Sequence, residues 1–311
     1  MSAAAMRWPL ALPAGYRLDD VLAFHSRDQE SLAEQVGARR LRKGVLLGGV
    51  ALEFDIAFDA ALASASCTVL ADGAPTPALE AAARDVVLNI LGLRIDPQPF
   101  LDFAADDKLF GALTRAQPGL RIVQSATLFE ALTWAIIGQQ INLPFAIALR
   151  RSFVLLAGRR HGGGLWCYPA AAEAARLDVD ALTGRKFSRA KAETLLRLAR
   201  LVDSGELALE LTPSRGIDAV AAALLAVKGI GPWTVNYGLL RGYGYADCSL
   251  HGDVAIRTAL HHLLGGEARP DIAQTEKILE RYRPHRTMAA AHLWASLHPR
   301  QASTDDDDKS A

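Results

Sequence analysis

A chain of 311 residues exceeds what one hydrophobic core usually organises, so two or three subdomains are expected. Half of the residues are apolar and 22% are charged, which excludes a disordered chain, and no apolar run approaches the roughly 20 residues of a membrane span. Basic and acidic residues balance at 34 each, a neutrality that does not by itself point to a polyanionic partner. Cys67, Cys167 and Cys248 are too few and too scattered for a disulfide framework or a four-thiolate metal site. Arg7 is followed by Pro9, Pro13, Asp19 and Asp20 rather than by the apolar stretch of a signal peptide, so the expected compartment is the cytoplasm.

In chain order, residues 18–35 can form a helix, and residues 38–52 and 65–70 have strand character, with Ala65, Cys67 and Val69 alternating against polar neighbours. Arg39, Arg40, Arg42 and Lys43 read as a solvated strand edge. Thr76-Pro77 opens a helix and Gly92 closes it. Beyond residue 98 the strand signals vanish. Thr127 and Glu130 have capping-box spacing at the head of a helix through Ile137, and Asn142 caps the next, with Leu143-Pro144 in its first turn. Helical periodicity follows at 169–182, 189–203, 217–227, 232–241, 253–264, 272–282 and 288–297. The expected fold is α+β, with an N-terminal antiparallel sheet and flanking helices over 1–98, then an all-helical, two-lobed region over 99–302. Asp305 to Asp308 and Lys309 spell a protease-cleavage sequence used in expression tags, so 303–311 is set aside as a tail. Without those five residues the charges stand at 33 basic to 30 acidic.

The segment that carries chemistry is 224–242. Gly229 and Gly231 lie between two amphipathic helices, with Pro232 where the second begins. Glycines there permit backbone conformations closed to other residues, and amides at a helix start can hold a phosphate without a basic side chain. Taken alone, Gly-x-Gly-Pro is more often a tight corner between helices. Following Gly252 at the head of a helix, Asp253 sits beside free amides and the positive end of the helix dipole, which favours an anion. Capping is the usual task of an aspartate there.

The wider pattern carries more. Gly229-Ile-Gly-Pro-Trp-Thr-Val-Asn-Tyr237, Leu240-Arg-Gly242 and Asp247 follow in order, with Phe129-Glu-Ala-Leu-Thr-Trp-Ala-Ile-Ile-Gly-Gln-Gln140 and Ser188-Arg-Ala-Lys191 before them and Arg283-Pro-His-Arg286 and Ala291-His-Leu-Trp294 after. This set resembles the helix-hairpin-helix DNA glycosylase superfamily, specifically its alkylation-repair branch of the 3-methyladenine glycosylase II type, over residues 6–302.

The resemblance implies a monofunctional glycosylase of base excision repair that acts on double-stranded DNA as a monomer, flips alkylated purines and leaves an abasic site. Asp253 would be the catalytic carboxylate. Trp233, Tyr237 and Trp294, with Phe24, would line the base pocket, where a cationic base gains about 0.5 to 2 kcal/mol from an aromatic face. Gln140 matches the wedge position and Gln139 a structural hydrogen-bonding one. Gly229, Gly231, Thr234, Arg286 and Arg189, with Lys191, would meet the DNA backbone. The carbonyls of Leu225, Val227 and Gly229 match a structural monovalent-cation site, and no cofactor is required. Trp233 stands where strand-cutting relatives carry a lysine nucleophile, so no lyase activity is expected. His251-Gly252 and Val254 depart from the family pattern beside the pocket, and His251 reads as a loop residue. A non-catalytic helix-hairpin-helix binder of damaged DNA is the alternative reading.

Overall fold

The computed structural model describes residues 4–297, so the tail at 303–311 lies outside the described residues. The first five strands are β1 (Ala4–Ala11), β2 (Glu34–Gly37), β3 (Arg40–Leu47), β4 (Val50–Phe58) and β5 (Ser64–Ala71). They pair antiparallel, β1 with β5, β5 with β4, β4 with β3 and β3 with β2. The alternation along β5 places Ala65, Cys67, Val69 and Ala71 in the core. Helix α1 (Leu18–His25) and helix α2 (Pro77–Ile90) cover the sheet through Leu22, Val86 and Val87. Thr76 caps α2 by accepting the Leu79 amide, and Gly92 follows with φ +66°, as its position implies.

The remaining helices are α3 (Gln98–Ala104), α4 (Gly111–Ala116), α5 (Leu128–Gly138), α6 (Leu143–Ala157), α7 (Ala171–Ala175), α8 (Val179–Thr183), α9 (Arg189–Asp203), α10 (Ile217–Leu225), α11 (Pro232–Gly238), α12 (Val254–Leu264), α13 (Ile272–Glu280) and α14 (Arg286–Ser296). Phe110, Leu132, Phe153, Leu195, Leu224, Leu240, Leu260 and Tyr282 belong to their common core. Helix α11 runs on into a π-helical turn, Leu239–Tyr243.

Four expectations need correction. Strands do not end at residue 98, because β6 (Arg159–Arg160) and β7 (Trp166–Tyr168) return to the sheet, giving the order β1-β5-β4-β3-β7-β6 with β2 also on β3. β7 lies parallel to β3, so the sheet is mixed. Gly44 makes this pairing possible, since a Cβ there would run into the Trp166 carbonyl, and strands of two or three residues leave no period to read. The helix foreseen over 18–35 stops at His25, and that foreseen over 169–182 divides into α7 and α8, where Asp178 caps a new start by accepting the Ala181 amide at 2.7 Å. Third, the capping box at 127–130 is half formed. Thr127 accepts the Glu130 amide at 3.1 Å, but Glu130 Oε2 takes the Ala126 amide at 2.9 Å instead of that of Thr127.

The fourth concerns Lys43, which is buried rather than solvated. Its ammonium lies 2.6 Å from Glu34 and 3.0 Å from Glu130, and Arg150 of α6 binds the same two carboxylates at 2.8 and 3.1 Å. Arg42 is half-buried on Glu53, whereas Arg39 and Arg40 remain exposed. Burial opposes charge on each member of this quartet, and mutual attraction outweighs it: Glu34 is held well below the usual carboxylate range, and Lys43 is raised. The quartet ties β2 and β3 to α5 and α6, so the sheet and the helices that flank the chemistry are locked together.

Candidate active site

The hairpin is α10, a turn, and α11. Gly229 has φ +96°, and a Cβ there would strike the Thr194 side chain, so both conformation and space require glycine. Gly231 differs from expectation: it caps α11 in an extended conformation with open space where a Cβ would point. Pro232 starts α11 at the position where a missing amide hydrogen costs least.

The loop after α11 is pinned before it reaches Asp253. Asn236 Oδ1 accepts the Ser249 amide at 3.0 Å, Cys248 and Leu250 are buried, and the Asp253 amide donates to the Leu250 carbonyl at 2.9 Å. His251 bonds Ser249 Oγ at 2.9 Å within this loop. Asp253 then caps α12, its Oδ1 accepting the Ile256 amide at 3.0 Å. Two indoles complete its shell: Trp233 Nε1 donates to Oδ2 at 2.9 Å and Trp294 Nε1 to Oδ1 at 3.3 Å. A plain cap needs only the helix amide; two further donors, from α11 and α14, fix both carboxylate oxygens against an aromatic wall.

That wall is continuous. Trp233 stacks on Tyr237 with centroids 5.1 Å apart, and Tyr237 meets Trp294 edge to face at 6.4 Å. Trp134 of α5 donates to the Tyr237 hydroxyl at 3.1 Å and orients the ring. Phe24 joins from α1, and a groove of about 730 Å³ lined by Phe24, Arg27, Arg241 and Trp294 adjoins this wall, sharing Trp294 with it, a volume ordinary for a small-ligand site. The structure therefore brings together Asp253, Trp233, Tyr237, Trp294 and Phe24.

Two cations in this pocket went unassigned at the level of sequence. The Arg241 guanidinium lies 5.1 Å from the Phe24 ring centroid, 5.2 Å from Trp294 and 5.8 Å from Tyr237, and donates to the Val123 carbonyl. Arg27 lies 4.2 Å from Phe24. The Leu240-Arg-Gly242 string held the signal for Arg241; nothing local marks Arg27, because α1 reaches the pocket only through tertiary packing.

Gln140 is exposed at the turn after α5 with φ +55°, held in a left-handed conformation that a non-glycine residue adopts rarely. Its neighbours are tied down. Gln139 Nε2 donates to the Gly229 carbonyl at 3.3 Å and Thr234 Oγ1 at 3.1 Å, joining this turn to the hairpin. Lys191 donates to the carbonyls of Ile137 at 2.6 Å and Gln139 at 2.5 Å. Lys191 is thus an internal brace rather than a phosphate ligand. Thr234 is buried, with its Oγ1 accepting from Gln139. Arg286 is also spent internally, on Asp247 at 2.6 and 2.8 Å, and its side chain is 11% exposed. Arg189 is exposed beside Asp180 and Glu193. Among the hairpin carbonyls, Val227 accepts the Ile230 amide and Gly229 accepts Gln139; each oxygen keeps a second lone pair.

No family model matches the chain. It is 32% identical over 206 residues to the DNA-3-methyladenine glycosylase of Bacillus subtilis strain 168, covering 65% of this chain and 68% of that protein. It is 30% identical over 186 residues to DNA-3-methyladenine glycosylase 2 of Escherichia coli strain K12, covering 59% of this chain and 63% of that protein. The chain thus spans about two thirds of the length of these relatives. In fold it matches the 3-methyladenine DNA-glycosylase from Archaeoglobus fulgidus with a TM-score of 0.76, covering 93% of this chain and 97% of that one at 21% identity. With an aspartate held by two indoles behind a glycine hairpin, and with this likeness, the chain belongs to the DNA-3-methyladenine glycosylase family.

Proposed function

We propose that this protein is a monofunctional DNA glycosylase of base excision repair, which extracts alkylated purines from duplex DNA and hydrolyses their N-glycosidic bond. The observation that carries the reading is the Asp253 carboxylate, fixed by the indoles of Trp233 and Trp294 at the edge of the aromatic pocket. As the bond between C1′ and the base nitrogen breaks, its electron pair leaves with the base and positive charge builds on the sugar. Asp253 stabilises that charge from a fixed position, which needs no reorganisation at the moment of reaction. Water then bonds to C1′ and gives up a proton, leaving an abasic site. A base already cationic departs as a neutral molecule, so stacking on Trp233, Tyr237 and Trp294 can suffice without an acid.

Flipping costs a few kcal/mol, least for damaged pairs. In this reading Gln140 fills the gap, and the turn that carries it is braced by Gln139 and Lys191. The amides at the start of α11 suit a backbone phosphate, and Arg189 is the exposed cation nearest this role among those the sequence suggested. In the same reading the carbonyls of Leu225, Val227 and Gly229 would hold a monovalent cation, which would supply positive charge at the hairpin and no chemistry to bond cleavage. The protein works as a monomer in the cytoplasm, on the nucleoid. No described helix is long and apolar enough to cross a membrane.

Water is the nucleophile in this proposal. Trp233 occupies the first turn of α11, Lys228 is exposed before the turn, and the Lys191 ammonium is held by two carbonyls beneath the Gln140 turn. The test is incubation with randomly methylated duplex DNA, scoring released bases and strand breaks, with borohydride to trap any enzyme–DNA adduct. Released 3-methyladenine, breaks only after alkali and no trapped adduct are expected. A trapped adduct would replace water by an amine, and DNA binding without base release would make the protein a damage binder.

A further inference from the structure

The pocket that should receive a cation already holds two. Arg241 is anchored through Val123 and lies among three aromatic rings. Arg27 is different: among the described residues its exposed guanidinium has no hydrogen bond and no ion pair of its own, lies over the Phe24 ring, and otherwise feels Tyr237, Arg241, Glu34 and Arg150 only through longer-range charge. The nearby carboxylates are taken, Asp28 by Arg151 and Glu34 by Lys43 and Arg150. An arginine at the rim of a groove, packed on a ring and without a direct ion pair, has its planar fork of donors available to a ligand.

We propose that Arg27 is a specificity-determining residue that donates hydrogen bonds to the acceptor edge of a flipped neutral 6-oxopurine. This rests on the base-excision reading above. A neutral 6-oxopurine presents O6 and N7 side by side as acceptors, which match a guanidinium fork; an alkylated adenine presents an amino donor beside N7 and a positive charge. The leaving groups differ in the same sense. A neutral purine departs with negative charge, spread over the atoms that Arg27 would contact, and a fixed donor there lowers the barrier. A cationic purine departs neutral and gains nothing from a second cation. Arg27 therefore tilts the pocket toward neutral purines, while Asp253 serves both.

The experiment compares wild type, Arg27→Ala and Arg27→Lys in single-turnover excision of hypoxanthine from a defined duplex and of 3-methyladenine from methylated DNA, beside binding to abasic-site DNA. Arg27→Ala should lower the hypoxanthine-to-3-methyladenine rate ratio by about tenfold or more, and Arg27→Lys should restore part of it. An equal loss on both lesions, with weaker abasic-site binding, would make Arg27 a phosphate contact and overturn the proposal. An unchanged ratio, or a wild type that releases 3-methyladenine but never hypoxanthine, would overturn it while leaving the glycosylase reading intact. A wild type that releases neither base would remove the reading beneath it.

Discussion

Asp253 has two separable tasks in this structure, and Asp253→Asn divides them. As a cap, Asn is about as good as Asp, because its side-chain oxygen can still accept the Ile256 amide. Helix α12 should therefore hold, the cap itself changing by well under about 1 kcal/mol. The charge is lost, however, and with the oxygen kept on the Ile256 amide and Trp294 the new amide group must face the indole donor of Trp233, which now lies 2.9 Å from Oδ2. Losing one fixed electrostatic contact to a transition state costs roughly 2.7 to 4 kcal/mol, or 10² to 10³ in rate. A full negative charge facing a developing cation should reach at least the upper end. Asp253→Ala provides the complement, since it also removes the cap at about 1 kcal/mol, and its melting temperature should fall by about 2 to 4 °C. Single-turnover base release measured beside thermal melts reads both quantities. The assignment fails if Asp253→Asn, melting with the wild type, releases 3-methyladenine within tenfold of the wild-type rate.

Two further predictions concern stability. Lys43→Met leaves Glu34 and Glu130 with Arg150 as the one remaining cation of the quartet, and removing one partner of a buried ion pair costs about 3 to 5 kcal/mol. A carboxyl that takes up a proton relieves the imbalance, so the deficit measured by denaturant titration should shrink as pH falls; a variant as stable as wild type at neutral pH would contradict the buried network. His292 is fully buried, with Nδ1 2.7 Å from the Gln117 amide, and burial first, then Arg17, lowers its pKa from 6.5 to about 4. The unfolded chain takes up this proton near pH 6.5 and the folded chain only near 4, so the contribution is present above 6.5 and lost as pH falls between the two values. Linkage gives about 2 kcal/mol lost by pH 5. His292→Gln should lose less stability than wild type between pH 7 and pH 5, and parallel profiles would rule His292 out as the cause.

Much of the chemistry was legible in local pattern because its parts are close in the chain or carry strong turn chemistry. Gly229, Pro232, Trp233 and Tyr237 lie within one hairpin, and an aspartate after glycine at a helix head is a cap whatever surrounds it. Thr76, Asn142 and the span of α9 were equally readable, since caps and helical period are local properties. Burial was less so. Lys43, Arg42 and Arg286 looked like surface or DNA-facing cations because a side chain's partner is invisible when it comes from residues such as Glu130 or Asp247, far away in the chain.

The sequence by itself determined the hairpin, the capping aspartate and most helix starts, because backbone sterics and orphan amides act over three or four residues. Only the tertiary structure decided the rest. It turned a cap into a candidate site by bringing Trp233 and Trp294, 20 and 41 residues from Asp253, onto its two oxygens, and it folded α1 and the residues after it along the groove to add Phe24 and Arg27. It also closed the sheet with β7, a strand too short to announce itself, against a glycine whose purpose shows only when the neighbouring carbonyl is in place.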